Sequence, residues 1–469
     1  MKKKIFSFIV AVLVLSTSLV TPSNVSASKD NWPHANLSLV ASSAILIDAN
    51  TGAILYAKKA DKKRYPASIT KIMTALLTIE KGNLNDNLTY SKNALACIKD
   101  GAANIGAVVG EQMSVKDTLY GMMLQSGNEC ATALGEYVGG NEKDFAVMMT
   151  NRAKQAGATG TNFKNANGLH NKDHYVTAHD MAFIMKDALK YPTFRDVINT
   201  TAYTIPKNNK RKKRFFAYQR HKMVYENTAL YYDGIIGGKT GFTDQARNTL
   251  VTAASRNGLT LISVVLHSDT AHVYSDTKKL LDFGFKNYKS VKVSSFSTSL
   301  QSDDSILISP FWDVDEDKDK GRLTIDPNAT ITLPKKASIS DVTKNFTYSA
   351  SKDSFANISY KYGSHFIGTA NITYEKKTKS NTAKVVEETT SSKEKPTNVD
   401  SKSVKKAKSK SKTSAVAKTF KKIFTSVAFY IVLAVLIVLI VIGRLLYKRK
   451  KKIDQIREAK RNRYTSSLK

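Results

Sequence analysis

Two apolar runs, Thr249 to Ser255 and Leu259 to Leu266, meet near Asn257-Gly258. That dipeptide favours the left-handed turn that joins adjacent antiparallel strands, so the segment commits the chain to an antiparallel sheet. A second hairpin is predicted near the other end, where Ser43 to Asp48 and Ala53 to Ala57 flank Ala49-Asn50-Thr51-Gly52. Between the hairpins the apolar spacing becomes helical. Ile69, Ile72, Met73 and Leu76 share one side of a helix predicted over 68–81, with Gly82 as its stop. Ser114 with Asp117 starts another helix, running to about Gln125. Glu129 to Val138 is helical again, and Thr177 with Asp180 caps a helix reaching about Lys190. Strands, a helical middle and antiparallel strands predict an α+β domain over 39–288. Short alternating runs such as Ala329 to Leu333 and Gly368 to Tyr374 then predict a small β domain over 291–375.

The ends of the chain read differently. Lys2, Lys3 and Lys4 precede the apolar run Ile5 to Leu15, and Val25-Ser26-Ala27 offers small residues for cleavage, which predicts a secretory signal over 1–27. Thr425 to Gly443 carries no charge and would span roughly 28 Å as a helix, close to the thickness of a bilayer core. A transmembrane helix is therefore expected over 423–446, with a basic cytoplasmic tail over 447–469. The chain carries a net charge of +33, and residues 376–469 hold 26 Lys/Arg against 6 Asp/Glu, so 20 of those charges sit there. Residues 376–422 are rich in Lys, Ser and Thr and predict a flexible spacer. Export excludes nucleic acid as the partner of this basic tail. The two cysteines, Cys97 and Cys130, are too few for a disulfide scaffold and read as two buried free thiols. Lys207 to Arg214 is a strongly basic loop whose default reading is a solvated surface.

Three short motifs follow in one order. Ser68-Ile69-Thr70-Lys71 opens a helix, Ser126-Gly127-Asn128 lies between two helices, and Lys239-Thr240-Gly241 lies on or beside a strand. A serine hydroxyl becomes a strong nucleophile only when a neighbouring base takes its proton. Positions i and i+3 of a helix share a face, so Lys71 reaches the Ser68 oxygen. A lysine serves as a base only where burial or another cation lowers its pKa. Ile69, Ile72 and Met73 supply the burial and Lys239 the second cation. The alternative is that Ser68 is a helix N-cap and Lys71 is solvated.

Pro66-Ala67-Ser68-Ile69-Thr70-Lys71, Ser126-Gly127-Asn128 and Lys239-Thr240-Gly241-Phe242-Thr243 together resemble the D-alanyl-D-alanine carboxypeptidases, the low-molecular-mass penicillin-binding proteins. Asn167-Gly168-Leu169 and Tyr175-Val176-Thr177-Ala178-His179-Asp180 add to a resemblance that covers roughly 39–374. It implies a β-lactamase/D,D-peptidase-like catalytic domain followed by a small β domain. The implied activity is release of the terminal D-Ala from peptidoglycan stem peptides, with β-lactam antibiotics as covalent inhibitors and no cofactor. It further implies that Ser68 forms the acyl-enzyme, Lys71 deprotonates it and Ser126 relays protons. Asn128 would hold a substrate amide, and Lys239 and Thr240, beside Gly241, the terminal carboxylate. The backbone N–H groups of Ser68 and Phe242 would cradle the oxyanion. The site is expected on a single-pass membrane protein, its catalytic domain outside a bacterial and Gram-positive cell.

Three rivals are weighed against this. A class A β-lactamase would need a Glu-x-x-Leu-Asn stretch between the second and third motifs, and none occurs there. A zinc peptidase could draw on His170, His174 and His179, but the surrounding Asn, Gly and Asp residues read as loop, so no metal is expected. A non-catalytic wall-binding module is at odds with the intact Ser68, Lys71 and Lys239.

Overall fold

The computed structural model describes residues 31–98, 101–296, 322–348 and 356–375, which belong to a single unit. The expected signal sequence, spacer, membrane helix and tail lie outside these residues. Among the described residues, no helix is long and apolar enough to cross a membrane.

The main sheet has five antiparallel strands in the order β2-β1-β9-β8-β7. These are β1 Ser43–Asp48, β2 Ile54–Lys58, β7 Ile235–Thr243, β8 Arg247–Arg256 and β9 Leu259–Ser268. β8 and β9 turn at Asn257 and Gly258, both at positive φ (51° and 77°), as the dipeptide predicts. The nearly continuous apolar runs arise because both faces of this sheet are covered. Ile45, Ile47, Val251, Ala253, Ile262 and Val264 point into one core; Leu46, Leu250, Ala254, Leu261 and Val265 point into another. With side chains alternating along each strand, both sets must be apolar.

The first core is filled by the helices of the middle segment: α1 Lys71–Lys81, α2 Lys92–Ala96, α3 Val115–Gln125, α4 Asn128–Gly139, α5 Glu142–Gln155, α6 Ala178–Ala188 and α7 Pro192–Asn199. β3 Asn87–Thr89 pairs with β4 Gln112–Ser114, and β5 Ala202–Ile205 pairs with β6 Phe215–Tyr218, as small ribbons around them. The caps read from sequence are in place. Ser114 Oγ accepts the Asp117 N–H at 3.0 Å and donates to its carboxylate at 2.6 Å, and Thr177 Oγ1 accepts the Asp180 N–H at 2.9 Å.

The second core lies under α8 Val273–Asn287 and continues into the strands that follow. β10 Tyr288–Lys292 pairs with β12 Thr330–Pro334, and a four-stranded sheet runs β11-β15-β14-β13. Its members are β11 Arg322–Ile325, β13 Val342–Tyr348, β14 Ala356–Tyr362 and β15 His365–Glu375. Ile331, Leu333, Ile358 and Ile372 share one cluster with Leu46, Leu250 and Leu280. The two thiols are free, but only Cys130 is buried; Cys97, at the C-terminal end of α2, is half-buried, a correction to the expectation of two buried thiols.

Candidate active site

Ser68 sits in a 3-10 turn, Ala67–Thr70, immediately before α1. The helix predicted over 68–81 is thus a 3-10 turn followed by an α-helix, and Ser68 is not an N-cap: neither segment has a side-chain cap. Ala67 before it holds φ at 51°, a left-handed conformation costly for a residue with a Cβ. Neighbours on two sides hold that turn. A side-chain carbon at Gly168 would strike the Ala67 carbonyl, and one at Gly241 would come within 2.8 Å of the Ser68 nitrogen. Thr249 on β8 donates to the Pro66 carbonyl at 2.8 Å. The sheet and the 168 loop therefore grip the nucleophile turn directly.

Lys71 is fully buried at the start of α1. Its Nζ lies 2.9 Å from Ser68 Oγ, 2.7 Å from Asn128 Oδ1 and 2.6 Å from the Asn167 carbonyl. The last two can only accept. In the neutral amine they take both N–H bonds and leave the lone pair facing the Ser68 hydroxyl. Burial brings the Lys71 pKa down to about 7. Arg220 pushes it in the same direction, opposed by Glu129 and by the charges the two cysteines would carry as thiolates. Lys239 is the neighbouring cation, and repulsion between two buried ammonium groups lowers the proton affinity of the pair. The Lys239 side chain is buried on β7, and its pKa is driven down by burial first and then by Lys71 and Arg220.

Ser126 ends α3 in a left-handed conformation, φ 62°, and the chain turns there into α4, which begins at Asn128. Ser68, Ser126, Asn128, Thr240, Gly241 and Phe242 all line one cleft of about 1210 Å³. Lys71 and Lys239 lie buried behind it. Lys239 Nζ donates to the Thr240 carbonyl at 3.0 Å. Asn128 Oδ1 accepts from Lys71 Nζ at 2.7 Å, and its side-chain N–H₂ is the donor it can offer a ligand.

Two contributors have no role in the motif reading. The Asn167 carbonyl belongs to the Asn-Gly-Leu triplet that carried the resemblance, but main-chain acceptors leave no mark on residue identity. Arg220 reaches the cleft because its backbone bonds to Leu124 across nearly 100 positions, and no local signal marks that approach. The three histidines go separate ways. Buried His174 accepts the Lys164 N–H on Nδ1 and meets Thr70 Oγ1 at 3.0 Å through Nε2, which must then carry the proton. Burial lowers its pKa to about 3, so the ring is neutral. His170 packs edge-on against Tyr65, and His179 faces Asp180.

A serine on a strained turn, a buried lysine amine 2.9 Å from its hydroxyl and an open cleft beside them stand on an α+β fold of the penicillin-binding, D,D-peptidase class. The comparisons agree. The family model described as D-alanyl-D-alanine carboxypeptidase matches residues 28–270. D-alanyl-D-alanine carboxypeptidase DacF of Bacillus subtilis is 32% identical over 295 residues, covering 62% of this chain and 72% of that protein. DacA of Escherichia coli is 30% identical over 310 residues, covering 63% and 71%. The structure of penicillin binding protein 5 from Haemophilus influenzae superposes with a TM-score of 0.58 at 26% identity, over 73% of this chain and 99% of that one. The chain belongs to the D-alanyl-D-alanine carboxypeptidase family.

Proposed function

We propose that this serine-type D-alanyl-D-alanine carboxypeptidase works through an acyl-enzyme on Ser68. Ser68 Oγ attacks the carbonyl carbon of the penultimate D-Ala, and its proton passes to Lys71 Nζ. The peptide bond breaks as the terminal D-Ala amine takes up a proton relayed through Ser126. Water then hydrolyses the ester and restores Ser68. The backbone N–H groups of Ser68 and Phe242 receive the oxyanion, each such donor contributing about 3 kcal/mol in comparable sites. Asn128 offers its amide N–H₂ to the substrate. The terminal carboxylate docks at Lys239, Thr240 and Gly241, and its charge raises the proton affinity that burial has taken from Lys239. The observation that carries this reading is the approach of Lys71 Nζ to Ser68 Oγ with two fixed acceptors behind it.

The wider organisation follows the sequence: a signal over 1–27, a catalytic domain over 39–288, a β domain over 291–375, a spacer over 376–422, a membrane helix over 423–446 and a tail over 447–469. This arrangement holds the catalytic domain outside the membrane of a bacterial, Gram-positive cell. Intact mass measurement after penicillin treatment tests the core of the reading. One penicilloyl group on Ser68 is expected, with Ser68→Ala losing both the label and D-alanine release. A label on another serine would overturn the assignment.

A further inference from the structure

The basic loop 207–214 is not a loosely solvated turn. Asn208 Oδ1 accepts the N–H groups of Lys210 and Arg211, and its Nδ2 donates to Glu111 at 2.8 Å. Asn209 ties the loop to Gly110 and Gln112. Arg211 donates to Glu111 at 3.0 Å and to the Ile105 carbonyl at 3.2 Å. Ile105 is itself held by Glu129, next to Asn128, through an N–H bond of 2.7 Å. The loop is thus anchored to the segment that follows Gly101, Ala102 and Ala103 at the cleft wall, and Glu111 is taken by Arg211. Lys207, Lys210, Lys212, Lys213 and Arg214 all remain exposed, and no carboxylate among the described residues pairs with them.

The strand leaving this loop, β6, points Phe216 and Tyr218 outward, 56% and 55% exposed. It then delivers Arg220 to the rim of the cleft. Cations, flat apolar faces and the cleft rim therefore form one track. The geometry points to this track as a docking surface for the peptidoglycan strand that carries the stem peptides. The inference rests on the carboxypeptidase reading and extends it. Every stem peptide ends in a carboxylate, and removal of D-Ala uncovers a new one, so a strand presents a row of carboxylates before and after reaction. Its sugar rings present C–H faces to Phe216 and Tyr218, while the fixed cations hold the neighbouring stems. Continuity with the cleft favours a polymeric substrate over a membrane surface, which would lie against the mouth of the site.

The test uses the full chain and a variant with Lys207, Lys210, Lys212, Lys213 and Arg214 changed to Gln. D-Alanine release is measured on a short peptide ending in D-Ala-D-Ala and on purified uncross-linked peptidoglycan strands, with penicillin labelling to count intact sites. The variant should match the parent on the peptide and fall ~10-fold on strands at low salt, as lost electrostatic steering predicts. The gap should close at about 1 M salt, where the screening length is roughly 3 Å. Phe216→Ala with Tyr218→Ala should also lose strand turnover, at both salt levels. Equal losses on peptide and strands, or none on strands, would overturn the inference. So would a variant whose only defect is weaker sedimentation with anionic lipid vesicles. A parent chain that releases D-alanine from neither substrate sinks the carboxypeptidase reading, and this inference with it.

Discussion

At the scale of single residues, Lys71 sets the conditions under which the site works. A protonated amine has no lone pair for the Ser68 proton, and burial brings half-protonation to about pH 7. Penicillin labelling of Ser68 is therefore expected to accelerate as pH rises from 5 through 7 and to level off above it. A rate flat across that range would remove Lys71 as the base. The same depression affects folding. The folded-state pKa lies below the ordinary value of 10.5, so between about 7 and 10.5 the unfolded chain binds more protons. The cost of burying this group is fully present below about 7 and is relieved as pH climbs toward 10.5. Glu129 is a buried carboxylate with an elevated pKa. One of its oxygens accepts the Ile105 N–H at 2.7 Å, tying the start of α4 to the segment at Ile105.

At the scale of elements, the parts legible in the sequence were those with local causes. The Asn257-Gly258 turn, the Ser114 and Thr177 caps and the two hairpins each depend on residues a few positions apart, and the structure keeps them. Less legible was α8, which begins after His272 with no side-chain cap. The 3-10 start before Lys71 has no local signal: the turn sits against Gly168 and Gly241, about 100 and 170 positions away. In the site, the motif residues announced themselves by type and order. Asn167 contributes only a carbonyl and Arg220 only its position, and such long-range placement leaves no local trace. The grip on the nucleophile turn gives a direct test. Gly241→Ala would press a methyl against Ser68 N at 2.8 Å and Thr249 Oγ1 at 2.5 Å, so β7 must move away. A displacement near 1 Å costs on the order of 100-fold in rate. Penicillin acylation should fall by that amount while the circular dichroism spectrum stays unchanged. An unaltered acylation rate would show that strand and serine are not rigidly coupled.

At the scale of the whole molecule, the sheet-rich segment after Tyr288 completes the core on the far side of the main sheet. Asp48 at the end of β1 accepts the Thr332 hydroxyl at 2.7 Å, and Thr332 also meets Thr51 at 2.6 Å, a buried polar tie between the β1–β2 turn and β12. Around it Ile331, Leu333, Ile358, Ile367 and Ile372 pack into the cluster that includes Leu46, Leu250 and Leu261. Each such side chain contributes about 2 kcal/mol on burial, so together they approach the whole stability margin of an ordinary domain, roughly 5–15 kcal/mol. Cutting the chain after Tyr288 would remove them, expose the part of the second core that α8 does not cover, and leave Asp48 without Thr332. That shortened protein is expected to aggregate or to melt far below the parent, although every motif residue is retained. A chain ending at Lys418 keeps both cores intact and loses the proposed anchor and tail with the last residues of the spacer. It should label with penicillin at the parental rate, melt at the parental temperature and stay in the supernatant after membranes are pelleted. Thermal melting, penicillin labelling and sedimentation of the two shortened chains decide the matter. If the chain ending at Tyr288 matched the parent in melting temperature and labelling, the segment after Tyr288 would contribute nothing to the catalytic unit.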